Sequence, residues 1–207
     1  MRRSLRDYPA VSLKKEDLDG RIDFLDVFGR KGAVHIEVGC GKGAFLLNQA
    51  RAEPEANFLG IEWAGKYYRH AVDRIGRWGL ENVRIIRKEA ASFLADFVAD
   101  GSVQCFHIYF PDPWPKKRHH KRRLFSQANM EEFLRCLEPR GVIKTVTDHA
   151  EYFEQIKMVM KFYDGRIEEI DFGPAEGADT GEWVGTNFER KYLKERRKIY
   201  TMAVRKL

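Results

Sequence analysis

A glycine-rich segment that directly follows a short apolar run is the feature that most constrains this 207-residue chain. Residues 33–38 read AVHIEV, and residues 39–43 read GCGKG. The apolar run predicts a buried strand, while the glycines permit a tight turn and let a ligand lie against bare backbone. The next residues, AFLL at 44–47, open a predicted helix. A strand, a glycine turn and a helix in this order predict an α/β fold with a ligand bound at the turn.

Beyond this segment, apolar runs alternate with segments of helical period, which is the pattern of a mostly parallel sheet. We predict strands at 33–38, 57–62, 82–87, 103–110 and 141–147. Helices are predicted at 44–52, 64–78, 91–99, 126–137 and 149–163. The last third is predicted to add a strand near 166–172, a Gly-rich loop at 173–186, a short helix at 187–196 and a strand at 198–205. Residues 31–207 would then form one domain, with residues 1–30 as an arm or short helix outside the sheet.

Charge and cysteine content restrict the partners and the compartment. The formal net charge is +6 and the pI is about 9.2, which points weakly to a polyanionic partner. The three cysteines, Cys40, Cys105 and Cys136, form no Cys-x-x-Cys pair, which argues against disulfides and zinc. The basic N-terminus, without an apolar stretch behind it, predicts no signal peptide, and no run is long enough to span a bilayer. We therefore expect a cytoplasmic protein that binds no metal and no membrane.

The glycine turn alone leaves two ligand classes open. Gly39, Gly41 and Ala44 also fit the relaxed dinucleotide fingerprint, so a nicotinamide dehydrogenase is one alternative. Glu37, however, lies inside the strand before the turn, where its charge would face a pyrophosphate unfavourably. That charge suits a ligand with a cationic amino group and a sulfonium.

Two further acids follow the next two predicted strands. Glu62 ends the second strand, about 20 residues beyond the turn, where a ribose-binding carboxylate is expected. Glu89 follows the third strand and could accept a hydrogen bond from an adenine amino group. The pattern of E-x-G-x-G-x-G followed by these acids resembles class I S-adenosylmethionine-dependent methyltransferases.

The segment after strand four, residues 110–115, reads FPDPWP. Ligands of open parallel sheets bind beyond the carboxyl ends of the strands, so this loop faces the ligand. Its prolines would hold Asp112 and Trp114 in fixed directions. Residues 116–123 follow as KKRHHKRR, of which six are permanently cationic, so we expect them to bind phosphate. Thr147-Asp148 and a second basic stretch at 190–198 would border the same cleft.

The segment 110–123 closely resembles the signature of tRNA (guanine-N7-)-methyltransferases. The motifs EVGCGKG at 37–43, GIE at 60–62, TD at 147–148 and TNFE at 186–189 fall in that family's order and spacing, and the resemblance covers about residues 30–207. It implies a Rossmann-like class I methyltransferase fold, with a mostly parallel seven-stranded sheet and helices on both faces. It also implies methyl transfer from S-adenosylmethionine to guanine N7 at position 46, in the variable loop of tRNA.

The resemblance implies roles for individual residues. Asp112 is implied to be catalytic. The implied S-adenosylmethionine-binding residues are Glu37, Gly39, Gly41, Gly43, Glu62, Glu89 and Asp112. The implied tRNA-binding residues are Lys116, Asp148, Thr186, Asn187, Phe188 and Glu189. Two positions depart from the family pattern, because Glu89 stands where Asp is usual and Asn187 where Lys is usual.

Two other functions compete with this interpretation. Methyltransferases acting on exocyclic amines or protein amides often carry Asp/Asn-Pro-Pro-aromatic after strand four, but Asp112-Pro113-Trp114 lacks the second proline. The other alternative is a non-catalytic RNA-binding protein with a methyltransferase fold, which the retained cofactor acids disfavour.

Overall fold

A single sheet forms the centre of the computed structural model, which describes residues 4–14, 16 and 18–207. Within those residues the sheet has eight strands. They are β1 (Ser12–Leu13), β2 (Val34–Val38), β3 (Asn57–Ile61), β4 (Val83–Ile86), β5 (Val103–Tyr109), β6 (Leu137–Thr147), β7 (Ile167–Ile170) and β8 (Tyr200–Lys206).

Helices connect most of these strands. They are α1 (Phe24–Phe28), α2 (Ala44–Ala52), α3 (Gly65–Trp78), α4 (Ala90–Phe97), α5 (Gln127–Cys136), α6 (Ala150–Lys161) and α7 (Asn187–Lys194), with a 3-10 helix at Lys117–Arg122. Several begin at a side chain that accepts from the free N–H groups of the first turn, as Ser126 does for α5 and Thr186 for α7. No helix in the described part of the chain is both long and apolar enough to cross a bilayer.

The strand order is β1-β4-β3-β2-β5-β6-β8-β7. Strands β1 to β6 pair in parallel, and β8 runs antiparallel to both β6 and β7. The chain leaves β2 toward β3 on one side and later returns to β5 on the other. A crevice therefore opens at the carboxyl ends of β2 and β5, where ligands of such sheets bind.

Both faces of the sheet are covered. Neighbouring residues of β3 enter different apolar clusters, since Phe58 belongs to one and Leu59 to the other, as expected when successive strand side chains alternate between faces. Helices α2 and α3 pack on the Phe58 face, and α4 to α6 on the Leu59 face. The predicted Rossmann-like α/β fold, mostly parallel and with helices on both faces, is confirmed.

The prediction that residues 1–30 lie outside the sheet is wrong for Ser12–Leu13, which pair in parallel with Ile85 and Ile86. The sheet therefore has eight strands rather than seven in the described residues. A two-residue strand is too short to produce a detectable alternation of apolar and polar residues. The same N-terminal segment contributes Phe24 and Phe28 of α1 to the larger apolar cluster.

Candidate functional site

The glycine loop between β2 and α2 is fastened to the end of β3. The N–H groups of Gly39 and Cys40 both donate to the carbonyl of Ile61, at 2.8 and 3.1 Å. Gly39 and Gly41 have φ values of 77° and 56°, and a Cβ on either would meet no atom within 4 Å. These two glycines thus border open space in which a ligand can lie against backbone.

Gly43 serves a different purpose from the other two loop glycines. Its φ is 66°, and a Cβ there would lie 3.2 Å from the Cβ of Ala71 in α3. The third glycine therefore allows α2 and α3 to approach each other, and its place in the site is structural.

Two carboxyl groups lie beside the loop. Glu37 is only 4% exposed, and its Oε2 has no hydrogen-bond partner among the described residues. Burial, together with the negative charge of Glu62, raises the pKa of Glu37 to about 8. A buried, unpartnered carboxyl oxygen is costly unless a donor reaches it. The position therefore fits a ligand that brings a cationic amino group.

Glu62 organises the backbone around the crevice. Its Oε2 accepts from the N–H of Gly41 at 2.8 Å, and its Oε1 accepts from the N–H of Ala64 at 2.7 Å. Burial raises its pKa, although these hydrogen bonds oppose the shift. The carboxylate retains unused lone pairs, so it can also accept from hydroxyl groups of a ligand.

Glu89 caps α4, at the same edge of the sheet. Its exposed carboxylate accepts from the N–H groups of Ala91 and Ser92, at 3.0 and 2.8 Å. A carboxylate has about four lone-pair sites, so capping leaves acceptor capacity for a ligand.

The Asp112 loop, residues 110–115, has a strained backbone. Phe110 and Trp114 have φ values of 52° and 42°, and each directly precedes a proline, where helical conformations of either hand are disfavoured. The N–H of Phe110 donates to the Val146 carbonyl of β6 at 2.7 Å, which anchors the loop. Asp112 is exposed. Burial is the main cause that raises the pKa of Glu62, and the negative charge of Asp112 raises it further. Asp112 therefore lies near the glycine loop.

The basic segment after this loop presents most of its cations to solvent. Lys116, Lys117, Arg118, Lys121 and Arg122 are exposed. The Arg122 guanidinium lies 5.0 Å from the ring centroid of Trp114, and the His119 ring meets that indole edge-on at 5.7 Å. Trp114 therefore braces the 3-10 helix. Arg123 differs from its neighbours, because it is buried and directed inward.

Asp148, which directly follows β6, forms an ion pair that the sequence does not predict. The Nη1 of Arg197 lies 2.9 Å from its Oδ2, and the Arg197 guanidinium stacks over Tyr192 at 4.5 Å. Tyr192 in turn meets Phe110 edge-on at 5.4 Å. These contacts bring the Asp112 loop, Asp148 and α7 to one cleft. A run of basic residues gives no signal as to which member pairs with an acid, so Arg197 could not be singled out.

The segment 186–189 divides into buried and exposed residues. Glu189 is 0% exposed, and its carboxylate accepts from the N–H groups of Trp183, Val184 and Gly185. The Thr186 hydroxyl accepts from the N–H of Glu189 at 3.0 Å. Both residues thus shape the loop before α7.

The two middle residues of the segment face outward. Asn187 is exposed, and Phe188 is 52% exposed with its ring 6.3 Å from that of Phe110. Arg190, which could replace the lysine missing at 187, is instead bonded to Glu182 and Asp179. Lys191 is exposed, 3.8 Å from Glu195.

Sequence comparisons relate this chain to known methyltransferases. Residues 31–202 match the model of a family described as "Putative methyltransferase". The chain is 34% identical to the tRNA (guanine-N(7)-)-methyltransferase of Alkalilimnicola ehrlichii, over 96% of this chain and 83% of that protein. It is 33% identical to the enzyme of the same name from Streptococcus mutans, over 94% and 90% of the two chains.

Solved structures support the fold. The aminoglycoside resistance methyltransferase NpmB1 superposes with a TM-score of 0.61 at 15% identity, covering 89% of this chain and 92% of that one. At this identity the similarity concerns the fold alone. The family match and the relatives aligned over nearly its whole length show that this chain belongs to the tRNA (guanine-N(7)-)-methyltransferase family.

Proposed function

We propose that this protein transfers a methyl group from S-adenosylmethionine to N7 of a guanosine in tRNA, at position 46 of the variable loop. The observation that carries the proposal is the shared cleft: the glycine loop with its buried acid opens beside the Asp112 loop, and a helix of exposed cations continues from that loop. Relatives that bear this enzyme's name align over 94–96% of the chain. The proposed location is the cytoplasm, because Cys40, Cys105 and Cys136 are free thiols.

The donor site is proposed to consist of the residues that border the crevice. Glu37 would accept from the α-amino group of S-adenosylmethionine, and Glu62 from its ribose hydroxyls. Glu89 would accept from the adenine amino group with the lone pairs that capping leaves free. The backbone of Gly39 and Gly41 and the Asp112 side chain complete the proposed set, and Gly43 would support it by letting α2 approach α3. When bound, S-adenosylmethionine supplies an electrophilic methyl group on a sulfonium.

The chemistry requires little from the protein beyond placement and charge. Guanine N7 carries a lone pair and no proton, so its attack needs no general base. Most of the rate is expected from holding N7 in line with the methyl–sulfur bond. The methylated ring is cationic, and the carboxylate of Asp112 or Asp148 would stabilise the charge that develops. The same acids can accept from guanine N1–H and the 2-amino group, which selects guanine over adenine.

The tRNA is proposed to lie over the basic helix and α7. N7 faces the deep, narrow major groove of an RNA helix, so the base must be unstacked or presented in a loop. Lys116 and the exposed cations after it would grip the backbone, and Trp114 or Phe188 would stack on a base. Asn187, which is exposed, would contact RNA directly. Thr186 and Glu189, being buried, would act by holding the loop that presents Asn187 and Phe188.

Methylation of tRNA transcripts tests the proposal. Wild-type protein with S-adenosylmethionine should produce 7-methylguanosine in a transcript carrying guanosine at position 46, and none when that base is replaced by adenosine. Nuclease digestion with mass spectrometry identifies the methylated atom. Methylation of an exocyclic amine, or no turnover at all, would contradict the proposed activity.

The role of Asp112 is tested separately. Asp112→Ala should keep tRNA binding, because the loop backbone is held by other contacts. It should nevertheless abolish methyl transfer, because it removes the proposed catalytic carboxylate. Near-normal turnover of this variant would show that the assignment of Asp112 as catalytic is wrong, without bearing on the activity itself.

A further inference from the structure

Arg123 ends the basic segment but does not belong to its exposed surface. It is 3% exposed, whereas the neighbouring Lys121 and Arg122 are exposed. A buried guanidinium loses its hydration and must be matched by acceptors inside the protein. Its partners therefore indicate what this side chain does.

Those partners join two separate elements. The Nε of Arg123 donates to the backbone carbonyl of Pro113 at 2.7 Å. Its Nη2 donates to Glu151 Oε1 at 3.1 Å, and its Nη1 donates to Gln155 Oε1. Glu151 and Gln155 are one turn apart on α6, and the guanidinium lies 5.0 Å from the ring centroid of Tyr152 between them. One planar fork thus ties the Asp112 loop to α6 in a fixed direction.

Both ends of this tie adjoin residues of the proposed active site. Pro113 directly follows Asp112, within a loop whose Phe110 and Trp114 are in unfavourable backbone conformations. Such strain persists only where surrounding contacts over-determine it. At the other end, α6 begins at Ala150, two residues after Asp148. Arg123 therefore joins the segment that carries Asp112 to the helix that begins just after Asp148.

We propose that Arg123 is a positioning residue, which fixes the Asp112 loop relative to the Asp148 end of α6 and so holds both carboxylates in register with the target base. This proposal rests on the proposed function of Asp112 and Asp148. Arg123 contacts no phosphate in this role, because reaching solvent would leave the Pro113 carbonyl and Gln155 without their donor. Loss of Arg123 should therefore lower kcat, whereas loss of an exposed cation should weaken tRNA binding.

Steady-state kinetics on a guanosine-46 transcript tests the proposal with Arg123→Met and Lys121→Met. The first removes the buried cation, and the second removes an exposed one from the same helix. Misplacement of a reacting group by about 1 Å can cost about 100-fold in rate. We expect Arg123→Met to lower kcat by about 10- to 100-fold while KM for tRNA changes by less than about 3-fold. Lys121→Met should do the reverse, raising KM and keeping kcat.

Two milder variants keep the test decisive if Arg123→Met does not fold. Arg123→Lys can satisfy one of the three acceptors, and Gln155→Met removes one partner on α6. Both should lower kcat by less than Arg123→Met and leave the Kd for S-adenosylhomocysteine unchanged. Normal kcat in both variants would overturn the proposal.

The remaining outcomes are also informative. If Arg123→Met lowers only Tm, while kcat per S-adenosylhomocysteine-binding site stays normal, Arg123 is merely structural and the proposal is overturned. If it raises KM at constant kcat, Arg123 is an RNA contact and the proposal is equally overturned. Failure of the wild-type protein to form 7-methylguanosine would instead refute the proposed function, so the two failures are distinguishable.

Discussion

The carboxyl group of Glu37 is buried close enough to that of Glu62 for the charge of Glu62 to raise its pKa, although burial itself is the larger cause. The two acids differ in their partners. Glu62 accepts from two backbone N–H groups, whereas Oε2 of Glu37 has no partner among the described residues. Glu62 is therefore stabilised by the fold, and Glu37 remains available for a cationic ligand.

This difference predicts proton release on cofactor binding. Below a pH of about 8 the Glu37 carboxyl is protonated in the free protein, while an ammonium group favours its charged form. Binding of S-adenosylhomocysteine at pH 7 should therefore release close to one proton. The affinity should rise with pH up to about 8, by at most tenfold per unit, and then level off. Glu37→Gln should bind more weakly and release no proton from this position.

Calorimetry in buffers of different ionisation enthalpy measures the released protons. Equal proton release by the wild-type protein and Glu37→Gln would contradict the assignment.

Unfolding of the ligand-free protein gives an independent check. Since the folded pKa of Glu37 lies above its ordinary value of 4.5, the folded state binds more protons between these pH values, and stability falls as pH rises. Glu37→Gln should therefore gain stability relative to the wild type at pH 9.

A second prediction separates backbone strain from ligand contact in the glycine loop. Gly41 and Gly79 have φ values of 56° and 65°, and a Cβ on either meets no atom within 4 Å. Gly41→Ala and Gly79→Ala should each cost about 1–2 kcal/mol in unfolding free energy from the left-handed backbone. Only Gly41→Ala places its methyl group in the crevice, so it alone should raise the Kd for S-adenosylhomocysteine, by at least about tenfold. Denaturant unfolding and calorimetry measure the two effects. Equal Kd values for both variants would show that the ligand does not lie over Gly41.

Much of the crevice was predictable because local patterns determine it. The glycine turn follows from the residues at 39–43, and Glu62 is expected at the end of β3 because parallel strands end at one edge. The pairing of Ser12–Leu13 with β4 was not predictable, since two residues carry no period.

The burial of Arg123 and the pairing of Arg197 with Asp148 were not predictable from the sequence. Each arginine lies in a run of cations, and only tertiary contacts decide which member finds an acceptor in the rest of the fold. Arg123 is directed inward by acceptors on α6, more than 25 residues away in the chain. Arg197 stays exposed but pairs with Asp148, 49 residues away. Local composition predicts a basic surface, but it cannot predict these exceptions.

A third prediction concerns Glu189. Its carboxylate accepts from three N–H groups of the 183–185 loop, and a buried donor left without an acceptor costs about 1–3 kcal/mol. Glu189→Ala should lower the unfolding free energy by about 3 kcal/mol or more, and Glu189→Gln by less, because Gln keeps one acceptor oxygen. The exposed Glu195→Gln serves as a control, with a change within about 1 kcal/mol.

Urea unfolding, combined with tRNA binding, distinguishes the two possible roles of Glu189. Weaker tRNA binding should accompany the loss of stability, since the loop presents Asn187 and Phe188. If Glu189→Gln lost tRNA affinity at full stability, Glu189 would be a direct RNA contact instead.

The last prediction tests whether the basic segment binds phosphate. Lys116 is exposed beside the Asp112 loop, whereas Lys31 is exposed just before β2, at the opposite edge of the sheet. Each phosphate contact adds about 0.7–0.9 to the slope of log Kobs against log salt concentration. Lys116→Ala should therefore weaken tRNA binding and reduce that slope by about 1, while Lys31→Ala should leave it unchanged. Binding titrations between 50 and 200 mM salt, roughly the range over which such contacts are resolved, provide the measurement. A neutral interface has no counterions to release. A salt-independent affinity of the wild-type protein for tRNA would therefore exclude phosphate binding by the basic segment, even if the variants bound more weakly.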